Sequence, residues 1–490
     1  MKNIISFYKK VGFILLVGMG LFFTACQEEL LEPLPQDQIS DANAYQTPER
    51  IQRVLLSVYT SMKGGQFYGG RYLVYNDIRG EEFINESSNG VTGLQTWNHT
   101  IISNSNEVNN LWNQIYVTIN RANVFIANVE ANKAVLKDDK IAAAYTAEAR
   151  LIRAVSYHSL LMLYARPYAD GMGSKPGVPL RLTPQVGLGE NDLARSTVAQ
   201  VYTQILEDLN FAEQNLPLNY ASAYLNTTRA HRNTAIALKT RVYLHLGQYA
   251  NVITEANKIV PAAAPFKAAT GVAHELQADI TNVFKTPFTT TESIFSMPFT
   301  ENNLPGTQNG LGSYYNPGPR GIGDFSLNRS GVIGDSTNFA VTDARRKFIF
   351  LNAANSKLYF NKFPTGLPNN IDYVPVIRYA EVLLNLSEAL ARSGGDQTRA
   401  LALLNAVRGR SNAAGVYPAF ADATALTNAV LLERRIELLG EGFRAPDLMR
   451  QLLPLPAKAN VGAIATTQSE YIWPIPNQEL LTNKLIQQNP

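Results

Sequence analysis

Apolar residues return at intervals of three and four along most of this 490-residue chain, while strict alternation is rare. A chain so patterned must bury helix faces against one another. The stretch from Thr47 to Met62 sets the pattern: Thr47 is an N-cap candidate, Pro48 suits a first turn, and Ile51, Val54, Leu55, Val58, Tyr59 and Met62 share one face. The same spacing predicts helices at about Glu107–Ala131, Asp138–Ala165, Ser196–Asn215, Arg229–Leu246, Tyr249–Ile259, Val376–Ala391, Thr398–Arg410 and Ala423–Gly440.

Two of these stretches read as tetratricopeptide-like pairs. In the first, small Ala235 and Ala237 admit close helix approach, Leu238 and Tyr243 fill the groove, and Gly247 ends one helix so that Tyr249 opens the next. From Ala380 to Leu404 the device recurs, with Gly394-Gly395 as the stop and Asp396 as the N-cap candidate. The spacing between units is irregular, so stacked pairs follow and a regular solenoid does not. The expected fold class is therefore mainly α. Between about Ala262 and Tyr373 the helical period is lost in a segment rich in Gly, Pro, Asn and Thr, a candidate ligand-facing surface.

The N-terminus carries Lys2, Lys9 and Lys10, an apolar run from Val11 to Phe23, and then Thr24-Ala25-Cys26. This arrangement predicts an export signal over residues 1–25 that is removed, since the apolar run is short for a membrane span. It resembles the lipobox of bacterial lipoproteins, with Phe23 where leucine is usual, which implies acylation of Cys26, as by palmitate. Because Cys26 is the only cysteine, no internal disulfide staples the fold. Residues 26–40, with Pro33 and Pro35, read as a tether. Their opening Gln27-Glu28-Glu29 resembles the surface-export signal of lipoproteins in the Bacteroidetes. Residues 41–490 read as a single body, with helical pairs at about 41–261 and 376–450 and the loop-rich segment at about 262–375. The formal charge of +3 resides in residues 1–25, which hold three lysines and no acid. A neutral remainder gives no electrostatic case for nucleic acid.

Catalytic chemistry is hard to find. The five histidines form no His-Glu-x-x-His motif, and no nucleophile elbow, Walker loop or dinucleotide fingerprint is present. His158 and His245 fall within helical patterns and read as ordinary imidazoles, so no metal or cofactor is expected. Adjacent Glu81 and Glu82 are a poor glycosidase pair, because neighbouring residues rarely converge on one bond. The expectation is a binding protein and not an enzyme.

Several ordered blocks resemble the SusD/RagB family. They are Arg378-Tyr-Ala-Glu-Val-Leu-Leu-Asn-Leu-Ser-Glu-Ala-Leu, Leu404-Asn-Ala-Val-Arg-Gly-Arg, the run from Glu433-Arg-Arg-Ile-Glu to Pro446-Asp-Leu-Met-Arg450, and Trp473-Pro-Ile-Pro with Asn489-Pro490. Upstream, Ala147-Glu-Ala-Arg-Leu-Ile-Arg-Ala154, Leu163-Tyr164 and Gly177-Val-Pro-Leu180 resemble its central helix and exit. Trp112-Asn-Gln-Ile-Tyr116, with Asn120 and Asn123, resembles another block, and Asn76-Asp77 lies near the family's early aspartate region. The resemblance implies helical pairs with an irregular ligand-facing side. It further implies an outer-membrane lipoprotein, facing the exterior, that captures nutrient, usually oligosaccharide, for a SusC-like TonB-dependent transporter. The name's RagB branch implies peptide as an alternative ligand, and a ligand-free helical adaptor is a third reading. The Glu433–Arg450 charges read as scaffold, and Trp112 and Trp473 as core.

Sugars offer flat C–H faces edged with hydroxyls, so a binder needs aromatic platforms beside amide, acid and arginine groups. The richest such stretch holds Tyr68, Arg71, Tyr72, Asn76 and Asp77, followed by Trp97 and Asn98. Gly64, Gly65, Gly69 and Gly70 mark it as a loop whose aromatics face solvent. Tyr314, Tyr315 and Arg320 form a second cluster. The alternative is that these rings pack against the body or the transporter.

Overall fold

The computed structural model describes residues 43–187, 189 and 191–489, so the expectations for the signal, Cys26 and the tether lie outside the described residues. From the N-terminal side come α1 (Pro48–Met62), the short α2 (Arg71–Ile78) and α3 (Leu94–Asn98), then α4 (Asn106–Ala131) and α5 (Asp139–Tyr164). Next are α6 (Val198–Asn215), α7 (Arg232–His245), α8 (Tyr249–Ala256) and the single-turn α9 (Leu311–Tyr315). The helical run resumes with α10 (Tyr379–Arg392), α11 (Gln397–Ser411), α12 (Ala423–Glu437), α13 (Arg444–Met449) and α14 (Asn477–Thr482). The fold is mainly α.

Helix starts sit where a short polar side chain can satisfy first-turn amides. The Thr47 hydroxyl accepts from the Arg50 amide at 3.3 Å, and Asp396 accepts from the Arg399 amide at 2.9 Å. Thr197 and Gln200 cap α6 reciprocally. Gly247 and Gly394 both take φ +67° where α7 and α10 must stop, a conformation that strains any side chain with a Cβ.

Neighbouring helices stack as pairs: α1 on α4, α4 on α5, α5 on α6, α6 on α7, α7 on α8, α8 on α10, and α10 on α11 and α12. The second half of α5 is buried all round from Leu151 to Tyr164, which makes it the spine of the helical layer.

Short strands pair antiparallel: β1 (Phe83–Asn85) with β3 (Phe325–Leu327), β2 (Ser293–Met297) with β6 (Val374–Arg378), and β4 (Ile349–Asn352) with β5 (Lys357–Phe360). β2 to β5 lie in the segment without helical period, and β1 and β6 pair with them from outside it. The expected helix from Val376 therefore begins three residues late. Val374, Pro375, Ile377 and Arg378 pair with fully buried β2, and the chain turns helical only at Tyr379. β-Branched side chains suit that buried ladder better than a helix start.

The charged C-terminal blocks are interior. Arg378 meets Glu292 at 2.6 Å, Glu437 at 3.2 Å and Glu441 at 2.6 Å. Arg345 meets Asp343, Glu433 and Glu437, while Arg450 meets Glu388 and Asp447. Pairing of this kind offsets the cost of taking the charges out of water, and losing one partner from such a pair costs about 3–5 kcal/mol. These residues tie α10, α12 and α13 to the β2–β6 ladder.

Candidate ligand-binding cleft

The structure puts most of the sequence-proposed ligand residues in the core, not on a solvent-facing platform. Residues 71–78 are helical, and Tyr68, Arg71, Tyr72, Asn76 and Asp77 are all buried. The glycines before α2 serve close packing: Gly70 has φ +147°, and a Cβ there would collide with the Asn309 carbonyl oxygen. Tyr68 and Tyr72 pack on Phe67, with ring centres 4.8 and 5.7 Å away, and border a cavity of about 20 Å³ that is too small for a sugar. Asn76 Nδ2 donates to the Tyr72 carbonyl at 2.9 Å. Asp77 accepts from the Gly442 amide at 2.9 Å, and burial pushes its carboxyl up to about 7.

Arg71 donates to the Gln66 side chain at 3.2 Å. Tyr315 stacks on Phe83 at 4.9 Å, Tyr314 lies on Phe325 at 6.2 Å, and both tyrosines are fully buried. Trp97 is 5% exposed, and its indole N–H donates to the Phe83 carbonyl at 2.8 Å. A period-breaking, glycine-rich sequence looked like a loop, but aromatic rings this large leave water whenever neighbours can enclose them. Two residues of the set keep solvent access. Asn98 is half-buried, and exposed Arg320 donates to Asn316 at 3.3 Å and Asn361 at 3.2 Å.

A cleft of about 350 Å³ opens beside α3, within the roughly 300–1,000 Å³ of small-ligand sites. One wall is the end of α3 and the chain after it. Glu107 accepts from the Gln95 and Thr96 amides at 3.2 and 3.1 Å, pinning the helix start. His99 ends the helix at φ +55°, which swings Ile101, Ile102 and Ser103 along the opening. Ile102 is 60% exposed there.

The opposite wall is the C-terminal block. Trp473 donates its amide to the Leu163 carbonyl at 2.6 Å, and Asn489 donates to the carbonyls of Tyr164 and Trp473 at 2.9 and 2.7 Å. Gln488 bridges the walls by donating to Ser103 Oγ at 2.9 Å. The end of α5 thus anchors one side of the cleft.

Arg79 also lines the cleft. It is 1% exposed, and one Nη donates to the Tyr471 carbonyl at 2.6 Å while the other is buried without a partner among the described residues. Burial pushes its guanidinium down to about 10. The Nε2 of His99 is likewise buried and unpartnered, and burial together with the Lys458 and Arg79 charges pushes this imidazole down to about 2. Ser469 and Glu470 are exposed at the rim. Backbone, hydroxyl, amide, guanidinium and apolar surfaces thus converge on one opening, an arrangement that can read hydroxyls but holds no poised acid and base pair.

The proposed stretch and the cleft overlap in the segment from Thr96 to His99, although the Trp97 ring turns inward. Sequence reading missed Arg79, because Asp77, Glu81 and Glu82 lie close to it in the chain and suggest pairing. In the fold Glu81 goes to Arg444 at 2.5 Å and Arg435 at 2.8 Å, Glu82 goes to Arg435, and Asp77 goes to Gly442.

Paired helices bearing a loop-walled cleft define a helical binding scaffold. Comparison with known proteins narrows this. Residues 31–244 match the model of a SusD-like family described as starch-binding and associating with the outer membrane, and residues 346–490 match that of the SusD family. A SusD superfamily structure from Bacteroides fragilis is 32% identical, with TM-score 0.81, over 91% of this chain and 100% of that one. The chain belongs to the SusD family. It is also similar to a structure described as a laminarin-binding SusD-like protein, at 25% identity and TM-score 0.70 over 91% of this chain and 100% of that one. SusD-like protein P38 of Formosa agariphila is 23% identical over 98% of both chains.

Proposed function

We propose that this protein captures an oligosaccharide at the cell surface and delivers it to a TonB-dependent outer-membrane transporter. The cleft of about 350 Å³ carries the reading: it presents Ser103, Gln488, Asn489 and Glu470 around exposed Ile102, which suits the mixed faces of a sugar. Similarity to a laminarin-binding protein supports a glycan as the ligand class. A binding role is further supported by Glu81 and Glu82, whose carboxylates are held by arginines rather than set across a cleft. In this reading Cys26 is acylated, residues 26–40 are the tether, and the body from residue 41 acts as one unit.

Calorimetric titration of the full-length protein against neutral glycans, acidic glycans and peptides tests the ligand class. Glycan binding in the absence of peptide binding is the expected result, and peptide binding alone would replace the sugar with a peptide. Affinity purification from the native membrane is expected to bring down a TonB-dependent transporter; its absence from the captured complex would remove the delivery step.

A further inference from the structure

Buried cations in this protein are usually matched by acids, as Arg153 is by Asp208 at 2.7 Å and Arg450 by Glu388 at 2.7 Å. Arg79 and Lys458 are not: among the described residues neither forms an ion pair, although both are almost fully enclosed. Lys458 donates to the Ile78 carbonyl and sits 5.5 Å from the Trp97 ring centre, and Arg79 lines the cleft next to that ring's helix. The acids near in sequence are committed elsewhere, Glu81 and Glu82 to Arg435 and Arg444. Glu470 stands exposed at the rim, held by Ser469 at 3.0 Å, and does not reach Arg79.

We propose that the cleft over Arg79 is a subsite for the oxyanion of an acidic sugar, either a uronate carboxylate or a sulfate ester. This rests on the glycan-capture reading above. Arg79 and His99 both line this cleft, and among the described residues one Nη of the first and the Nε2 of the second are buried without a partner, so an oxyanion that settles against them offers acceptors to both once Nε2 carries its hydrogen. An unpaired buried guanidinium is otherwise hard to account for, because taking a charge out of water without a partner is strongly unfavourable. A bound anion supplies the missing counter-charge and offsets the repulsion that Arg79 and Lys458 exert on a proton at His99. The Ser103 hydroxyl, which accepts from Gln488, keeps its own hydrogen for a neutral hydroxyl of the same sugar.

The test is titration of the full-length protein at low salt with matched ligand pairs: an oligogalacturonate and its methyl ester, and a sulfated galactan oligosaccharide and its desulfated form. In at least one pair the acidic member is expected to bind at least about tenfold more tightly, equivalent to about 1.4 kcal/mol. Which pair responds tells carboxylate from sulfate. Arg79→Gln is expected to bring that pair to parity, and Glu470→Gln at the exposed rim is expected to tighten the acidic ligand alone. The ligand-side comparison on the parent protein stands even if Arg79→Gln folds poorly. Neutral members binding as well as acidic ones would overturn the anion subsite and leave glycan capture in place. Acidic preference that ignores both substitutions would overturn its location over Arg79. Binding of peptides and no glycan would overturn both readings.

Discussion

Trp97 is enclosed by the Phe83 carbonyl and the Lys458 side chain, so its ring belongs to the core on which the cleft rests. Trp97→Ala is expected to destabilise the fold by about 3–5 kcal/mol, the usual cost of deleting a buried large aromatic, without a selective loss of glycan affinity. A melt and a titration on one preparation check this. An unshifted melt with weakened binding would instead return the ring to the ligand. His274 carries a second prediction. Its Nδ1 lies 2.9 Å from the Thr291 carbonyl, which calls for a hydrogen on that nitrogen and favours the charged ring, yet burial outweighs this contact and lowers the pKa to about 4 from an ordinary value near 6.5. Between those values the unfolded chain takes up a proton that the fold refuses. This residue's contribution is therefore present above about pH 6.5 and lost as pH falls toward 4. Its slope is about 1.4 kcal/mol per pH unit, and His274→Gln should flatten the stability profile by that slope in denaturant titrations at successive pH values.

At the scale of elements, the amphipathic helices α1, α4, α6 and α8 follow their apolar stripes closely, because a helix with one buried face has a periodicity that sequence displays. α2 has no such stripe. Every residue from Arg71 to Ile78 is buried, so no polar face marks its period, and its flanking glycines read as loop signals. β6 was hidden for a related reason: a strand buried on both faces shows a run of apolar residues, which continues into the apolar start of α10. α12 illustrates the legible case, ending at buried Leu438, whose amide donates to the Arg434 carbonyl at 2.9 Å. Leu438→Asp is expected to lower stability by several kcal/mol, since it strands a carboxylate on the apolar side of the helix end. Half-buried Leu432→Asp should cost less. Thermal melts that rank the two in the opposite order would contradict this placement of the helix.

For the whole molecule, the helical stack, the buried charge network and the C-terminal block act together. Trp473 and Asn489 are held to the end of α5, so the last residues complete a wall begun by residues 96–103. No helix among the described residues is long and apolar enough to cross a membrane. The attachment proposed above is through Cys26, and Cys26→Ala is expected to move the protein from the membrane fraction to a soluble or unprocessed form. Retention at parental levels in the same fraction would remove the lipid anchor. The sequence by itself determined the helix pairs, their caps at Thr47 and Asp396, the stops at Gly247 and Gly394, and the family, because these depend on local spacing and on ordered blocks that a linear reading can see. Tertiary structure alone decided which polar and aromatic groups meet water. Tyr72, Trp97 and Tyr315 went inside, and Glu81 and Glu82, close to Arg79 in the chain, turned to arginines hundreds of residues away. Burial and charge pairing are settled by contacts between distant segments, and one residue's type carries no record of which segment will cover it.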